Sequence, residues 1–206
     1  MNNDFRPNNV VSFEILLHPG GYHTPWHSHR AGQLWRITTG LLVVETASGR
    51  SVVPAQHIGW IPPGQEHAAF SGSAIDGRAI YLDPAGCEAL PGETTLFEPD
   101  ELTSALFSRL NAEGSGYDPR KLTLLLDELA RGRQVRYLLP MPADPRLKKV
   151  ASHLMLRVDD NQTVEHYASL AGMSVRTFHR RFSAETGMNV VNWRQLARVM
   201  RAMEWL

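Results

Sequence analysis

The hydrophobic pattern of this chain changes period once, and that change bounds the fold. From Val10 to about Leu82, apolar residues come in short runs such as LWRIT, LLVVET and AIYL, separated by Gly, Pro and Ser. Closely spaced runs with turn signals predict the strands of a sandwich or barrel. PAGCEALPGET at 84–94 reads as a loop by its Pro and Gly content. Beyond it the spacing is helical. Leu102, Leu106 and Leu110 stand four apart, and Leu122, Leu125, Leu126 and Leu129 follow i, i+3, i+4, i+7. NAEGSGYDP at 111–119 breaks the two stripes. Strands first and helices afterwards predict an α+β chain. The two helices can pack on the strands or pair with a second subunit, and spacing alone does not choose.

LLPMPADP at 138–145 holds three prolines in eight residues and predicts a linker, because proline neither continues a helix nor donates to a sheet. Leu147, Val150, Ala151, Leu154 and Leu156 then predict another helix. At 206 residues the chain has room for one or two domains of roughly 100–200 residues each. Its single cysteine, Cys87, excludes an internal disulfide and a cysteine-based zinc site, which makes a reduced, cytoplasmic setting the default expectation. The longest aliphatic run, Leu41 to Val44, is far below the roughly 20 residues of a membrane span. MNNDFRPNN at the start lacks the apolar core of a secretory signal, so no membrane partner is expected.

The zero net charge hides a division. Residues 1–140 carry 11 Lys/Arg against 15 Asp/Glu, whereas residues 172–206 carry 6 against 2. A basic end suggests a polyanion-facing surface. Within it, Thr163 precedes VEHYASLAGM and supplies an N-cap hydroxyl. Ala168 and Gly172 stand four apart, where a tight helix crossing needs small residues. Ser174 can cap a second helix whose apolar stripe is Val175, Phe178 and Phe182, with Gly187 as an αL cap. Arg176, His179 and Arg180 fall on the opposite edge. N-terminal residues of such a helix reach base edges, so these three are candidates for base readout. Ser174, Thr177 and Arg181 join them as candidate DNA contacts. Arg181, Arg194 and Arg198 also suit phosphates or internal salt bridges. A third helix follows, with Trp193, Leu196, Val199, Met200 and Met203 apolar.

The stretch from YASLAGMS through RTFHRRFSAETGM to NWRQLARVMRAM resembles the first helix-turn-helix and connecting helix of the AraC/XylS family of bacterial transcription regulators. The likeness covers about the last 60 residues. It implies that the helix opening near Ser174 enters the major groove. Members of the family carry two such motifs joined by a long helix. This sequence stops at Leu206 inside that bridge, so the helix-turn-helix domain is expected to be incomplete.

The N-terminal half is dense in histidine: 18, 23, 27, 29, 57 and 67. His27 and His29, two apart, share a face of a strand. His67 follows a Pro-Pro-Gly turn. Three neutral imidazoles from neighbouring strands suit a divalent metal such as Zn, Ni or Fe. Equally, with Trp26, Trp35 and Trp60 they can line a pocket for an organic effector, or simply pack. The stretch resembles the cupin barrel. Gly21, His27-Ser-His29, Gln33 and Gly40 follow its first motif, and Pro62-Pro-Gly64-Gln-Glu-His67 follows the end of its second. Gln33 stands where that motif has a ligating Glu, and Gln56 where the second motif opens on Gly.

The resemblances imply a flexible tail at 1–9, a cupin-like effector-binding β-barrel at 10–94 and a helical dimerisation segment at 95–137. A linker at 138–145 and an all-α DNA-binding domain at 146–206 complete the expected order. The effector site is expected at His27, His29, Gln33, Trp35, Trp60 and His67, with His27, His29 and His67 as candidate ligands of a divalent metal. The expected function is a ligand-responsive, non-enzymatic regulator that binds double-stranded DNA as a homodimer. The alternatives are a metal-dependent cupin oxygenase or isomerase, and a shortened regulator acting through mixed dimers.

Overall fold

A computed structural model describes residues 10–110, 118–135, 137–157 and 159–203. The expected tail at 1–9 and most of the break between the helical stripes, at 111–117, lie outside the described residues. The chain divides into two compact units, Met1–Thr46 with Val53–Tyr137, and Ala47–Val52 with Leu138–Leu206.

The strands in chain order are β1 (Val10–His18), β2 (Tyr22–His23), β3 (Gly32–Thr39), β4 (Leu41–Thr46), β5 (Gly49–Pro54) and β6 (Ile58–Ile61). They continue with β7 (His67–Ser71), β8 (Ile75–Leu82), β9 (Thr95–Phe97), β10 (Gln134–Val135) and β11 (Leu138–Pro140). In the first unit one antiparallel sheet runs β1-β8-β3-β6-β9-β10. Facing strands β4, β7 and β2 pair in that order. Alternation along β3 assigns its side chains to two separate cores. Trp35 and Ile37 point inward to join Leu16, Leu42, Val44, Val53 and Ile61. Leu34 points outward and joins Ile58, Trp60, Ile80 and Phe97.

That outer core is closed by two helices, α1 (Glu101–Leu110) and α2 (Pro119–Arg131). Leu106, Leu110 and all four leucines of the second stripe are buried there, while Leu102 stays 45% exposed. In this unit the helices therefore pack on the sheet. Asp100 opens α1 by accepting from the Thr103 N–H at 2.8 Å. Asp118, followed by Pro119, opens α2 in the same manner by accepting from the Arg120 N–H.

The second unit holds α3 (Pro145–Leu156), α4 (Val164–Leu170), α5 (Val175–Thr186) and α6 (Val190–Met203). Leu147, Val150, Leu154, Tyr167, Phe178, Phe182 and Trp193 are its buried centre. Phe182 meets the edge of Trp193 with ring centroids 5.7 Å apart at 88°. Val199, expected on the apolar face of α6, is 52% exposed, and Ala197 is buried with Trp193 and Met200 instead.

Two sequence expectations need correction. The proline-rich segment is not a plain linker, because Leu138–Pro140 pairs with β5 in the register Leu138↔Ser51 to Pro140↔Gly49. Proline sits at the strand end, where no ladder donor is required, and the Pro140 carbonyl accepts from Trp193 Nε1 at 2.6 Å. Asp144 and Pro145 then cap α3. Gly172 is not demanded by close packing, since a Cβ there would meet nothing within 4 Å. Its φ of +63° is the reason: the turn after α4 passes through the left-handed region. Among the described residues no helix is long and apolar enough to cross a membrane.

Candidate functional site: a polar-ended cavity and an arginine-edged helix

Inside the first unit lies a cavity of about 220 Å³. Its apolar wall includes Leu16, Trp35, Leu42, Val44 and Ile61, and its polar end includes His27, His67, Gln33, Tyr81 and Glu14. Trp35 can lie flat in this wall because its partner across the β3–β6 ladder is Gly59, where a Cβ would collide with the indole.

The three expected imidazoles come together, though His27 sits on an isolated bridge and His29 in the loop before β3, so the two do not share a strand. His27 and His67 face each other through a bridge in which each residue's N–H donates to the other's carbonyl at 2.9 Å. Their ring centroids are 4.3 Å apart, and His29 lies 5.1 Å from His67. Each ring is oriented in one way. Nδ1 of His27, His29 and His67 donates to the carbonyls of Pro25, Ala31 and Gln65 at 2.8, 2.6 and 2.9 Å. That tautomer leaves every Nε2 as a lone-pair acceptor. His29 Nε2 is buried with no partner. Burial holds the His67 pKa below the ordinary histidine range, outweighing the hydrogen bond to Gln65.

One ligand atom from each ring lies within 4.8 Å of the others, and no carboxylate joins the group among the described residues. Imidazoles whose second nitrogen is anchored on a carbonyl are the usual support of a metal ligand. A tetrahedral zinc ion with bonds of about 2.0–2.1 Å draws its nitrogens to roughly 3.3 Å. The three neutral nitrogens fit a borderline ion such as Zn, Ni or Fe and do not fit Mg or Ca. The fourth position differs from the cupin pattern: Gln33 Nε2 donates to Tyr81 Oη at 2.8 Å.

Sequence reasoning missed the next link. Tyr81 Oη donates in turn to Glu14 Oε2 at 2.6 Å. Burial first, and then Glu14, raises the Tyr81 pKa far above the ordinary phenol range, so the phenol remains a donor at neutral pH. The available signal was a lone carboxylate inside the apolar strand VVSFEILLH.

Other expected residues are elsewhere. Trp60 belongs to the outer core and donates Nε1 to the Pro91 carbonyl at 2.7 Å, so it does not line the cavity. Its parity on β6 is opposite to that of Ile61, which does. Trp26 is 54% exposed. His57 stacks edge-on to Tyr137 instead of joining the cluster. Burial pushes the Cys87 thiol up to about 11, as suits a packing residue.

In the second unit α4 and α5 form a helix-turn-helix. Ser174 caps α5: its Oγ accepts from the Thr177 N–H at 3.3 Å and donates to Thr177 Oγ1 at 2.9 Å. Both hydroxyls are therefore engaged in the cap. Gly187 ends α5 with φ 74°. Phe178 and Phe182 anchor the buried side, and Arg176 and Arg180 are exposed on the other, with no acidic partner among the described residues. His179 is half-buried beside Phe178. Arg181 differs from its neighbours. It pairs with Asp144 at 2.9 Å and approaches Glu185 at 3.7 Å, so its guanidinium is committed inside the unit. Arg194 and Arg198 both reach Asn161 Oδ1, at 3.3 and 3.1 Å, and tie α6 to the loop before α4.

Comparison with known proteins gives the following. The profile of the AraC-like ligand binding domain matches residues 11–173. The HTH-type transcriptional regulator NimR of Escherichia coli (strain K12) is 26% identical over 201 residues, 96% of this chain and 74% of NimR. The HTH-type transcriptional regulator RipA of Corynebacterium glutamicum is 34% identical over 67 residues, 32% of this chain and 20% of RipA. Among solved structures, ToxT from Vibrio cholerae is similar over 94% of this chain and 82% of its own, with a TM-score of 0.46 and 7% identity.

Proposed function

The chain belongs to the AraC-like ligand-binding family, and from that premise we propose that it is a ligand-responsive transcription regulator that binds specific double-stranded DNA. The observation that carries this reading is α5. Its apolar side is fixed by Phe178 and Phe182, while Arg176 and Arg180 stand free on the exposed edge. Guanidinium groups near the start of such a helix can read guanine in the major groove. NimR and RipA are themselves named HTH-type transcriptional regulators.

In this reading the cavity is the effector site, with His27, His29, Gln33, Trp35 and His67 as its contacts. The domain assignment is a barrel at 10–94, a helical dimerisation segment at 95–137 and a DNA-binding region at 146–206. The expected assembly is a homodimer, acting in the cytoplasm and not as an enzyme. An effector must bind one arrangement of the protein better than another, because equal affinity for both shifts nothing. A shift assay on candidate promoters, with a salt titration, tests the reading. A specific complex whose affinity changes on adding effector is expected, and the absence of any specific site refutes it.

A second reading, a metal-dependent cupin enzyme, is favoured by the three convergent imidazole nitrogens. Here His27, His29 and His67 would hold the ion, which would supply a Lewis-acid centre. Gln33 weighs against it, since the amide withholds the negative charge that offsets a 2+ ion. Elemental analysis after chelator-free purification separates the two: stoichiometric iron, nickel or manganese favours the enzyme. The mixed-dimer reading predicts self-association with little DNA affinity, which size exclusion beside the shift assay tests.

A further inference from the structure

The polar end of the cavity is rich in hydrogen-bond acceptors and carries a carboxylate. The three imidazoles have committed their N–H groups to the backbone carbonyls of Pro25, Ala31 and Gln65, and so offer only lone pairs. Tyr81 has committed its proton to Glu14, and Gln33 has committed one amide proton to Tyr81. Glu14 Oε1 has no partner among the described residues, and His29 Nε2 is a buried acceptor with none. Among the described lining residues there is no Lys or Arg, and Glu14 is the one carboxylate.

The lone pairs of the lining His27 and His67 suit N–H donors on a ligand, and a carboxylate on the wall favours positive charge. We propose that the cavity takes a compact organic cation with an N–H-rich head of the amidinium, guanidinium or ammonium class, read by Glu14. Its apolar body lies against Trp35, Leu42, Val44 and Ile61. A cavity of 220 Å³ is below the roughly 300–1,000 Å³ usual for ligand pockets, which limits the ligand to about ten non-hydrogen atoms. An anionic ligand of the same size would bring its charge against Glu14 and against imidazole lone pairs. The donors left on the wall are the second Gln33 amide proton, the Tyr22 hydroxyl and Trp35 Nε1, the last buried without a partner, and they leave room for an acceptor on the ligand body.

The inference rests on the reading of this cavity as the effector site. Three nearly isosteric probes test it on the full chain: benzamidine, benzamide and benzoate. Binding is followed by ligand-observed NMR in chelator-treated buffer and again after adding nickel. Benzamidine is expected to bind roughly tenfold more tightly than benzoate, the order of one ion pair in a half-exposed setting. Glu14→Gln, which keeps an acceptor for Tyr81, is expected to reduce the amidine–amide difference to within about threefold. Tyr81→Phe frees Glu14 of its internal partner and is expected to keep the preference for the cation. Benzoate binding as tightly as benzamidine, or a preference for benzamidine that Glu14→Gln leaves intact, overturns the inference while leaving the effector site standing. Nickel reversing the order in favour of benzoate overturns it too and points to a metal-anchored anion site. Failure of all three probes to bind rejects the effector cavity itself, and the inference with it.

Discussion

Arg176, Arg180 and Arg181 share one helix, yet the fold gives them different work, so single substitutions should separate their effects. Arg176 and Arg180 are exposed and free of acidic partners among the described residues, whereas Arg181 is held by Asp144 at 2.9 Å. A bidentate arginine–guanine contact discriminates by about 1–3 kcal/mol, which is roughly 5- to 150-fold in affinity. Arg176→Ala and Arg180→Ala should each weaken specific binding within that range while leaving thermal stability unchanged, since neither side chain is packed. If one of them instead touches a phosphate, the salt dependence of log K should flatten by about 0.9 for that variant, and binding should weaken evenly across sequences. Arg181→Ala should do the opposite. It removes an internal partner of Asp144 and lowers the melting temperature, with DNA affinity preserved to within about threefold at fixed salt. Fluorescence anisotropy on an operator and on a scrambled duplex, together with thermal melts, reads both quantities. Loss of DNA affinity at Arg181→Ala equal to that at Arg180→Ala, with no change in melting, would refute the partition of the helix. Undiminished binding by the Arg176→Ala/Arg180→Ala pair would refute the DNA-reading edge altogether.

The remaining expectations concern stability, acid response and metal. Phe182→Ala empties a fully buried site against Trp193 and should cost about 3–5 kcal/mol in urea unfolding, whereas Gly187→Ala, strained only by its positive φ, should cost about 1–2 kcal/mol. Hydrogen bonds from the Arg146 side chain and backbone, followed by the charges of Arg146 and Arg181, hold the Asp144 pKa down to about 2 from 3.8. A depressed carboxylate pKa stabilises the folded state above the unfolded value and loses that contribution as pH falls towards the folded one. The urea midpoint of the wild type should therefore drop between about pH 5 and 3 more steeply than that of Asp144→Asn. With Gln33 in place of a carboxylate, calorimetry should show no stoichiometric uptake of nickel or zinc by the purified chain, and uptake that is lost in His29→Ala would favour the metal-dependent reading through His27, His29 and His67.

How much of this was legible in the sequence depended on whether a signal was local. The leucine stripes act through residues three or four apart, and Leu122, Leu125, Leu126 and Leu129 are buried as their spacing implied. The His27, His29 and His67 cluster was visible through the cupin-like spacing of its motifs, although His27 sits on an isolated bridge and His29 in the loop before β3, not together on a strand. Trp60 failed for the same physics: on β6 one step of register decides between two cores, and composition does not reveal which face a tryptophan takes. Glu14 and Tyr81 were invisible as a pair, being 67 residues apart and joined only by sheet pairing. Arg181 suited either a DNA contact or an internal salt bridge by its spacing, and only the position of Asp144, far back in the chain, decides for the salt bridge.

Strand β3 acts as a bulkhead one residue thick. On one side Gln33 and Trp35 touch the chamber, while on the other Leu34 backs the leucines of α1 and α2 and Arg36 Nη1 donates to Ser108 Oγ of α1 at 3.1 Å. Close-packed interiors compress little. A guest that tilts the Trp35 indole therefore pushes on the same backbone that seats the helical pair, and the message needs neither lever nor hinge to cross.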